Sequence, residues 1–88
     1  MRILLKEERA EFQKKFSYQQ VGDFYEGLAV AEKDGQWFHI FENGTPVYTN
    51  RFDLAEFFQN GLAWAKKGNK WIRINMQGEE VAQKMTSS

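Results

Sequence analysis

The amino-acid sequence predicts a mainly β fold, with two tandem three-stranded antiparallel meanders preceded by a short N-terminal helix. Three observations carry this prediction: the chain repeats itself at a distance of 34 residues, each copy contains two tight-turn dipeptides, and small apolar residues face large ones between the turns. At 88 residues, with 42% hydrophobic side chains, the chain has room for one small core, and a single domain, residues 1–88, is expected.

The N-terminal segment, residues 1–17, is unrelated to the repeat and is predicted to be helical. Residues 4–16 have a helix-favouring composition, and Leu5, Phe12 and Phe16 recur at spacings of seven and four residues. These spacings place the three side chains on one helix face, which is expected to lie on the sheet.

The repeat appears when residues 18–47, here called unit 1, are compared with residues 52–81, here called unit 2. Ten of thirty positions are identical, whereas roughly two are expected by chance. The identical pairs are Phe24/Phe58, Gly27/Gly61, Leu28/Leu62, Ala29/Ala63, Ala31/Ala65, Lys33/Lys67, Trp37/Trp71, Ile40/Ile74, Gly44/Gly78 and Val47/Val81. Such a duplication predicts that both units share one local fold. The polar tail that follows, residues 82–88, is expected to fray.

The first hairpin of each unit has a register that follows from its turn. Asp34-Gly35 is typical of two-residue type I′ turns, and Gly68-Asn69 stands at the same place in unit 2. Alanines opposite large side chains on one face indicate that this face is buried. The pairs predicted for unit 1 are Ala29/Ile40, Ala31/Phe38 and Lys33/Gln36.

A second turn, Asn43-Gly44, predicts that a third strand follows the second one. Taken as a two-residue turn, it places Val47 opposite Ile40, and the repeat places Val81 opposite Ile74 in the same way. Pro46 has no N–H, which favours a third strand that lies at the sheet edge or ends early.

The aromatic-rich segments 18–24 and 52–58 are interpreted as connectors between these strands. Residues 50–58 are expected to include a helical turn capped by Asn50.

Composition excludes several classes of function. The chain has no cysteine and one histidine, which excludes disulfides, a thiolate nucleophile and a metal site built from these residues. Twelve basic and twelve acidic side chains cancel, so no overall field attracts nucleic acid or a membrane. No apolar run approaches the length of a secretory or membrane-spanning segment. A cytoplasmic protein that binds neither membrane nor metal is expected.

Catalytic patterns are absent from the sequence: it contains no phosphate-binding loop, nucleophile elbow, HExxH or paired general acid and base. His39 is the one side chain that suggests catalysis. The equivalent position in unit 2 holds Arg73, so the position is predicted to point outward and to require only a polar residue. We therefore expect a protein that is not an enzyme and needs no cofactor.

The sequences of the two units carry a family resemblance. FYEGLAVAEKDGQWFHIFENGTPV (24–47) and FQNGLAWAKKGNKWIRINMQGEEV (58–81) resemble bacterial WG repeats, also called KWG repeats. That family alternates a Gly-Leu-Ala strand, a glycine turn, a Lys-Trp-Gly-Tyr-Ile strand and a second glycine turn. Phe38 and Ile72 replace the glycine after the tryptophan. The resemblance implies an all-β meander used for binding, without catalytic residues.

The candidate binding surface is the first hairpin of unit 2. Its register places Lys66 opposite Trp71 and Trp64 opposite Arg73, which predicts two cation–π pairs on one face. Residues 17–48 have one basic and five acidic side chains, net −4, whereas residues 49–88 have six basic and four acidic, net +2. The predicted binding residues are Trp64, Lys66, Lys67, Lys70, Trp71 and Arg73.

Two repeat units bury their apolar faces poorly alone, so a cover is expected from the N-terminal helix, a second copy, or neighbouring repeats. We expect a protein-interaction module that binds a larger protein, as a subunit or small inhibitor, or that binds a second copy of itself. The alternative is binding of single-stranded nucleic acid, with bases on the tryptophans and phosphates on the lysines. For the lysines taken alone, plain solvation and protection of a hairpin edge is the more common explanation.

Overall fold

The computed structural model describes residues 1–81, and two small β-sheets dominate it. Each sheet is antiparallel with three strands, in the orders β1-β2-β3 and β4-β5-β6, which confirms the predicted fold class. The tail predicted at residues 82–88 lies outside the described residues. The elements in chain order are α1 (Lys6–Phe16), β1 (Gln20–Val21), β2 (Ala29–Lys33), β3 (Gln36–Ile40), β4 (Leu54–Ala55), β5 (Ala63–Lys67) and β6 (Lys70–Ile74).

The registers of the β2–β3 and β5–β6 hairpins are those predicted. Ala29 faces Ile40 in unit 1, and Ala63 faces Ile74 in unit 2. Asp34 and Gly35 both have positive φ, of 55° and 81°, as a type I′ turn requires. In unit 2 only Gly68 of the turn pair has positive φ, 65°, which is the type II′ pattern. Two turn types therefore produce one register.

The predicted buried face is confirmed in both hairpins. Each alanine of this face is buried, and the larger side chain across the strands fills the space above it. The residues are Ala29, Ala31, Phe38 and Ile40 in unit 1 and Ala63, Ala65, Ile72 and Ile74 in unit 2. One continuous core forms from these two faces and the aromatic side chains around them.

The third strand of each sheet precedes the hairpin, so the interpretation of 18–24 and 52–58 as connectors is wrong. Val21 of β1 pairs with Ala31, and Ala55 of β4 pairs with Ala65. The reason is another tight turn, in which Tyr25 and Leu28 exchange backbone hydrogen bonds of 2.8 and 3.0 Å. Residues 26 and 27 between them have φ of 55° and 81°, again type I′.

The second predicted turn has three residues instead of two, which shifts its register by one. Phe41 N–H donates to Thr45 O at 2.9 Å, and Gly44 in the loop has a φ of 91°. The extra residue is a glycine bulge. Pro46 therefore lies opposite Ile40, and the predicted partner Val47 is wrong. In unit 2 Glu80, and not Val81, lies opposite Ile74.

Residues 50–58 form no helical turn; they contain β4. Asn50 caps nothing locally, and its side-chain amide donates to Gly78 O at 2.8 Å. A long-range hydrogen bond thus replaces the predicted local one.

Helix α1 covers the upstream end of unit 1. It begins at Lys6, and Leu5, predicted to face the sheet, is exposed, whereas Leu4 is buried. Phe12 and Phe16 pack against the core as predicted. Arg9 ties the helix to unit 1, donating from Nε to Val21 O at 2.9 Å.

The packing of α1 substitutes for a preceding unit. Phe12 and Phe16 lie directly over Gly44, and Tyr48 lies in the same way over the equivalent Gly78. The expected cover is thus present at the upstream end, where the helix caps the array.

Candidate functional site

The contact between the two units shows what the outer edge of a hairpin binds. Trp37 and Phe52 exchange backbone hydrogen bonds: Trp37 N–H donates to Phe52 O at 2.8 Å, and Phe52 N–H donates to Trp37 O at 2.9 Å. The start of unit 2 therefore joins the sheet edge of unit 1 through one isolated antiparallel bridge.

His39 lies at the centre of this contact, and the prediction that it points outward is wrong. It is fully buried, its ring packs on Phe58 at 4.4 Å between centroids, and Nε2 lies 2.8 Å from Glu56 O. Because a carbonyl only accepts, Nε2 carries the proton, and Nδ1 accepts from Tyr48 Oη–H. Burial lowers the pKa of His39 to about 4, against a smaller raising effect from the Glu56 carbonyl. The imidazole is thus neutral and structural.

The carboxylate of Glu26 in unit 1 also stabilises the contact with unit 2. Glu26 accepts hydrogen bonds from the backbone N–H groups of Asn60 and Gly61, at 2.6 and 2.9 Å. Both residues have positive φ, so their N–H groups converge on one anion.

The equivalent surface of unit 2 is uncovered in the described part of the chain. We call it the downstream face; it consists of Glu56, Trp64, Lys66, Trp71 and Arg73. Trp64 and Trp71 are 40% and 44% exposed. Within residues 1–81 no group pairs with the outward backbone N–H and C=O of Trp71, which correspond to those that Trp37 uses for Phe52.

Arg73 stands where unit 1 has His39, and it lacks the partner that His39 has. Its Nε is buried and has no hydrogen-bond acceptor among residues 1–81. Its guanidinium carbon lies 4.6 Å from the centre of the Trp64 ring, which confirms one of the two predicted cation–π pairs. The prediction of the second cation–π pair is wrong. Lys66 faces Trp71 across the strands but makes no cation–π contact in this part of the chain.

Two shallow grooves make the downstream face concave. Glu56 and the two tryptophans line one of about 260 Å³. Phe57, Asn60 and Arg73 contribute to the other, of about 290 Å³. A flat side chain or an extended backbone fits such depressions better than a compact small molecule does.

The comparison with known protein families agrees with this architecture. The family model "WG containing repeat" matches residues 15–37 and 42–71, which is 23 plus 30 of 88 residues and more than half of the chain. The chain belongs to the WG repeat family. Both matches end on the repeated tryptophan, Trp37 and Trp71. No curated protein and no solved structure matches the chain.

The six predicted binding residues of the second WG unit divide into two groups. Trp64, Lys66, Trp71 and Arg73 share the downstream face, with the tryptophans exposed and the two cations half-buried. Lys67 and Lys70 pair at the turn end of the hairpin and are exposed.

Sequence reasoning missed Glu56, which lines a groove together with the two tryptophans of this WG unit. Its only sequence signal was that it follows Ala55 in a stretch interpreted as a connector. Recognising that stretch as a strand requires the turn at Asn60-Gly61, whose glycine recurs as Gly27 in the first unit.

Among the described residues, no group of three His, Asp or Glu side chains is arranged to hold a metal ion. The helix of this part of the chain is too short and too polar to cross a membrane.

Proposed function

We propose that this WG protein is a non-enzymatic protein-binding module, and that the downstream face of unit 2 accepts an extended segment of another protein. The observation that carries the proposal is the difference between two equivalent edges: Trp37 is paired with Phe52, whereas Trp71 has no partner within residues 1–81. An unpaired strand edge favours addition of a strand from another chain.

The side chains of the face support the same function. Trp64 and Trp71 supply aromatic area next to the free edge, and tryptophan and arginine are the residues that most often dominate binding energy at interfaces. The buried Arg73 Nε gains an acceptor when a backbone carbonyl occupies the place that Glu56 O has beside His39.

The chain itself provides a probe for this proposal. The peptide of residues 50–59 contains Phe52 and Glu56, which dock on unit 1, and it can be titrated into the full chain. We expect saturable shifts of the Trp71 backbone amide and of the Trp64 and Trp71 indole N–H signals in ¹H–¹⁵N NMR spectra. The double variant Trp64→Ala, Arg73→Ala should weaken binding by about tenfold or more, because both residues are at the centre of the face.

The matched control is Lys14→Ala, Lys15→Ala, which changes two exposed residues on α1. It should bind the peptide as the native chain does. Absence of shifts at Trp71 up to millimolar peptide, or equal binding by the tryptophan–arginine variant, would overturn the proposal.

Binding of single-stranded nucleic acid is the second candidate, favoured by two exposed tryptophans beside Lys66, Lys67 and Lys70. Glu56, which lines the same groove as the two tryptophans, disfavours this function because its carboxylate repels phosphates. A titration with a thymidine oligonucleotide at two salt concentrations separates the two: phosphate-driven binding weakens steeply as salt rises.

A further inference from the structure

We infer that the segment accepted by the downstream face is acidic, with a carboxylate within two residues of the residue that pairs with Trp71. This inference rests on the proposed function and specifies the partner's chemistry.

The occupied edge of unit 1 receives one basic residue next to Phe52, the residue that pairs with it. The side chains at its turn end are Glu32, Lys33, Asp34 and Gln36, with a net charge of −1. The docked segment brings Arg51 directly before Phe52. Arg51 lines the same depression as Asp34 and Gln36, and its guanidinium lies 4.0 Å from the centre of the Phe38 ring.

The corresponding side chains of unit 2 reverse this charge. They are Lys66, Lys67, Gly68 and Lys70, with a net charge of +3. A basic residue at the position of Arg51 would be repelled there, whereas a carboxylate would be attracted by three ammonium groups. Lys67 and Lys70 are exposed and lie opposite each other.

The Trp64 end of the downstream face determines which group the bound segment must place beside Arg73. Arg73 lies two residues beyond Trp71 on β6, and its unsatisfied Nε requires an oxygen acceptor. In unit 1 this acceptor is the carbonyl of Glu56, four residues after Phe52. Glu56 also lines the Trp64 end of the face, where its negative charge offsets the positive charge of Arg73, so the net positive charge lies at the lysine end.

Three peptides test the inference on the full chain: residues 50–59, the same peptide with Arg51→Glu, and the same peptide with Asp53→Lys. We expect the Arg51→Glu peptide to bind at least about threefold more tightly than the native one, and the Asp53→Lys peptide more weakly. The differences should shrink as salt rises from 20 to 500 mM, because exposed charges are screened.

A charge variant of the chain supplies the control. Lys66→Gln, Lys67→Gln, Lys70→Gln should abolish the preference among peptides and still bind the native peptide. The matched variant Lys6→Gln, Lys14→Gln, Lys15→Gln loses the same charge on α1 and should keep the preference. If both variants unfold at the same temperature as the native chain, the fold of each is intact.

The outcomes distinguish the inference from the proposed function. Equal, salt-independent binding of all three peptides overturns the acidic preference and leaves strand acceptance standing. No binding of any peptide overturns both. A concentration-dependent dimer in sedimentation equilibrium that none of the peptides disperses overturns the inference in favour of a second copy of the chain.

Discussion

His39 of unit 1 and Glu56 of unit 2 are joined by a hydrogen bond of 2.8 Å from Nε2 to the backbone carbonyl, and the imidazole that makes it is buried. The bond requires the neutral imidazole to keep its proton on Nε2, because Nδ1 is occupied by the Tyr48 hydroxyl. Burial raises the pKa of Tyr48, which therefore remains protonated as a donor. The contact between the units thus depends on the protonation of one side chain.

This dependence predicts loss of stability in acid. Burial lowers the pKa of His39 from 6.5 to about 4, so the unfolded chain binds a proton between these values that the folded chain does not. The histidine contribution is present above pH 6.5 and is lost progressively as the pH falls towards 4. It amounts to about 3 kcal/mol of unfolding free energy.

Urea unfolding at pH 7.0, 6.0, 5.0 and 4.5 measures this effect. His39→Gln should be less stable at pH 7.0 but should lose less stability over the same range. If the stability of both proteins fell in parallel as the pH is lowered, protonation of His39 would not be the cause of the loss.

Gly78 is predicted to tolerate no side chain. It has a φ of 77°, and a Cβ there would lie 2.5 Å from Tyr48 Cγ. Gly78→Ala should therefore combine backbone strain with overpacking and cost about 2 to 4 kcal/mol. Gly35→Ala is the control, since its φ is 81° but its Cβ would meet nothing within 4 Å. Chemical denaturation should show a loss of about 1 kcal/mol of unfolding free energy for the control. Equal losses for the two variants would show that the contact with Tyr48 adds nothing to the cost at Gly78.

Proline substitution is predicted to destabilise the chain more at Trp37 than at Trp71. Trp37→Pro removes the N–H that bonds Phe52 and should destabilise the chain by about 3 kcal/mol or more. Trp71→Pro removes an outward N–H that has no partner within residues 1–81, and edge positions accept proline. Its cost should be about 1 kcal/mol. Thermal unfolding monitored by circular dichroism tests the pair, and similar losses would mean that the Trp71 edge is occupied.

Glu26 is predicted to strengthen the contact between the units. Its carboxylate accepts from Asn60 and Gly61, so Glu26→Ala leaves two N–H groups to water and should cost about 1 kcal/mol. Glu42→Ala is a matched loss of charge in unit 1, where the carboxylate lies 3.7 Å from Arg2 Nε at the surface. The control should change stability by less than about 0.5 kcal/mol. A larger effect from Glu42 would contradict the role assigned to Glu26.

Two errors of the sequence-based prediction arise at irregular or very short elements. The dipeptide Asn43-Gly44 predicts a two-residue turn, but the glycine lies in a bulge, so Pro46 and not Val47 lies opposite Ile40. The pattern of residues 52–58 predicts no strand, because β4 has only two residues. Such short elements form through neighbours distant in sequence, such as Lys66 for Leu54, and carry little periodic pattern of their own.

The sequence by itself determined the repeat, the first hairpin of each unit and its register, because turn residues and the alternation of side chains are local properties. It also identified Trp64, Trp71 and Arg73 as one surface. Only the tertiary structure decided which of two equivalent faces is buried. His39 and Arg73 occupy the same position in their repeats, yet unit 2 packs on His39, whereas in the described chain no repeat unit follows Arg73. The difference in burial between His39 and Arg73 arises from the order of the units, so the residue pattern within one unit does not predict it.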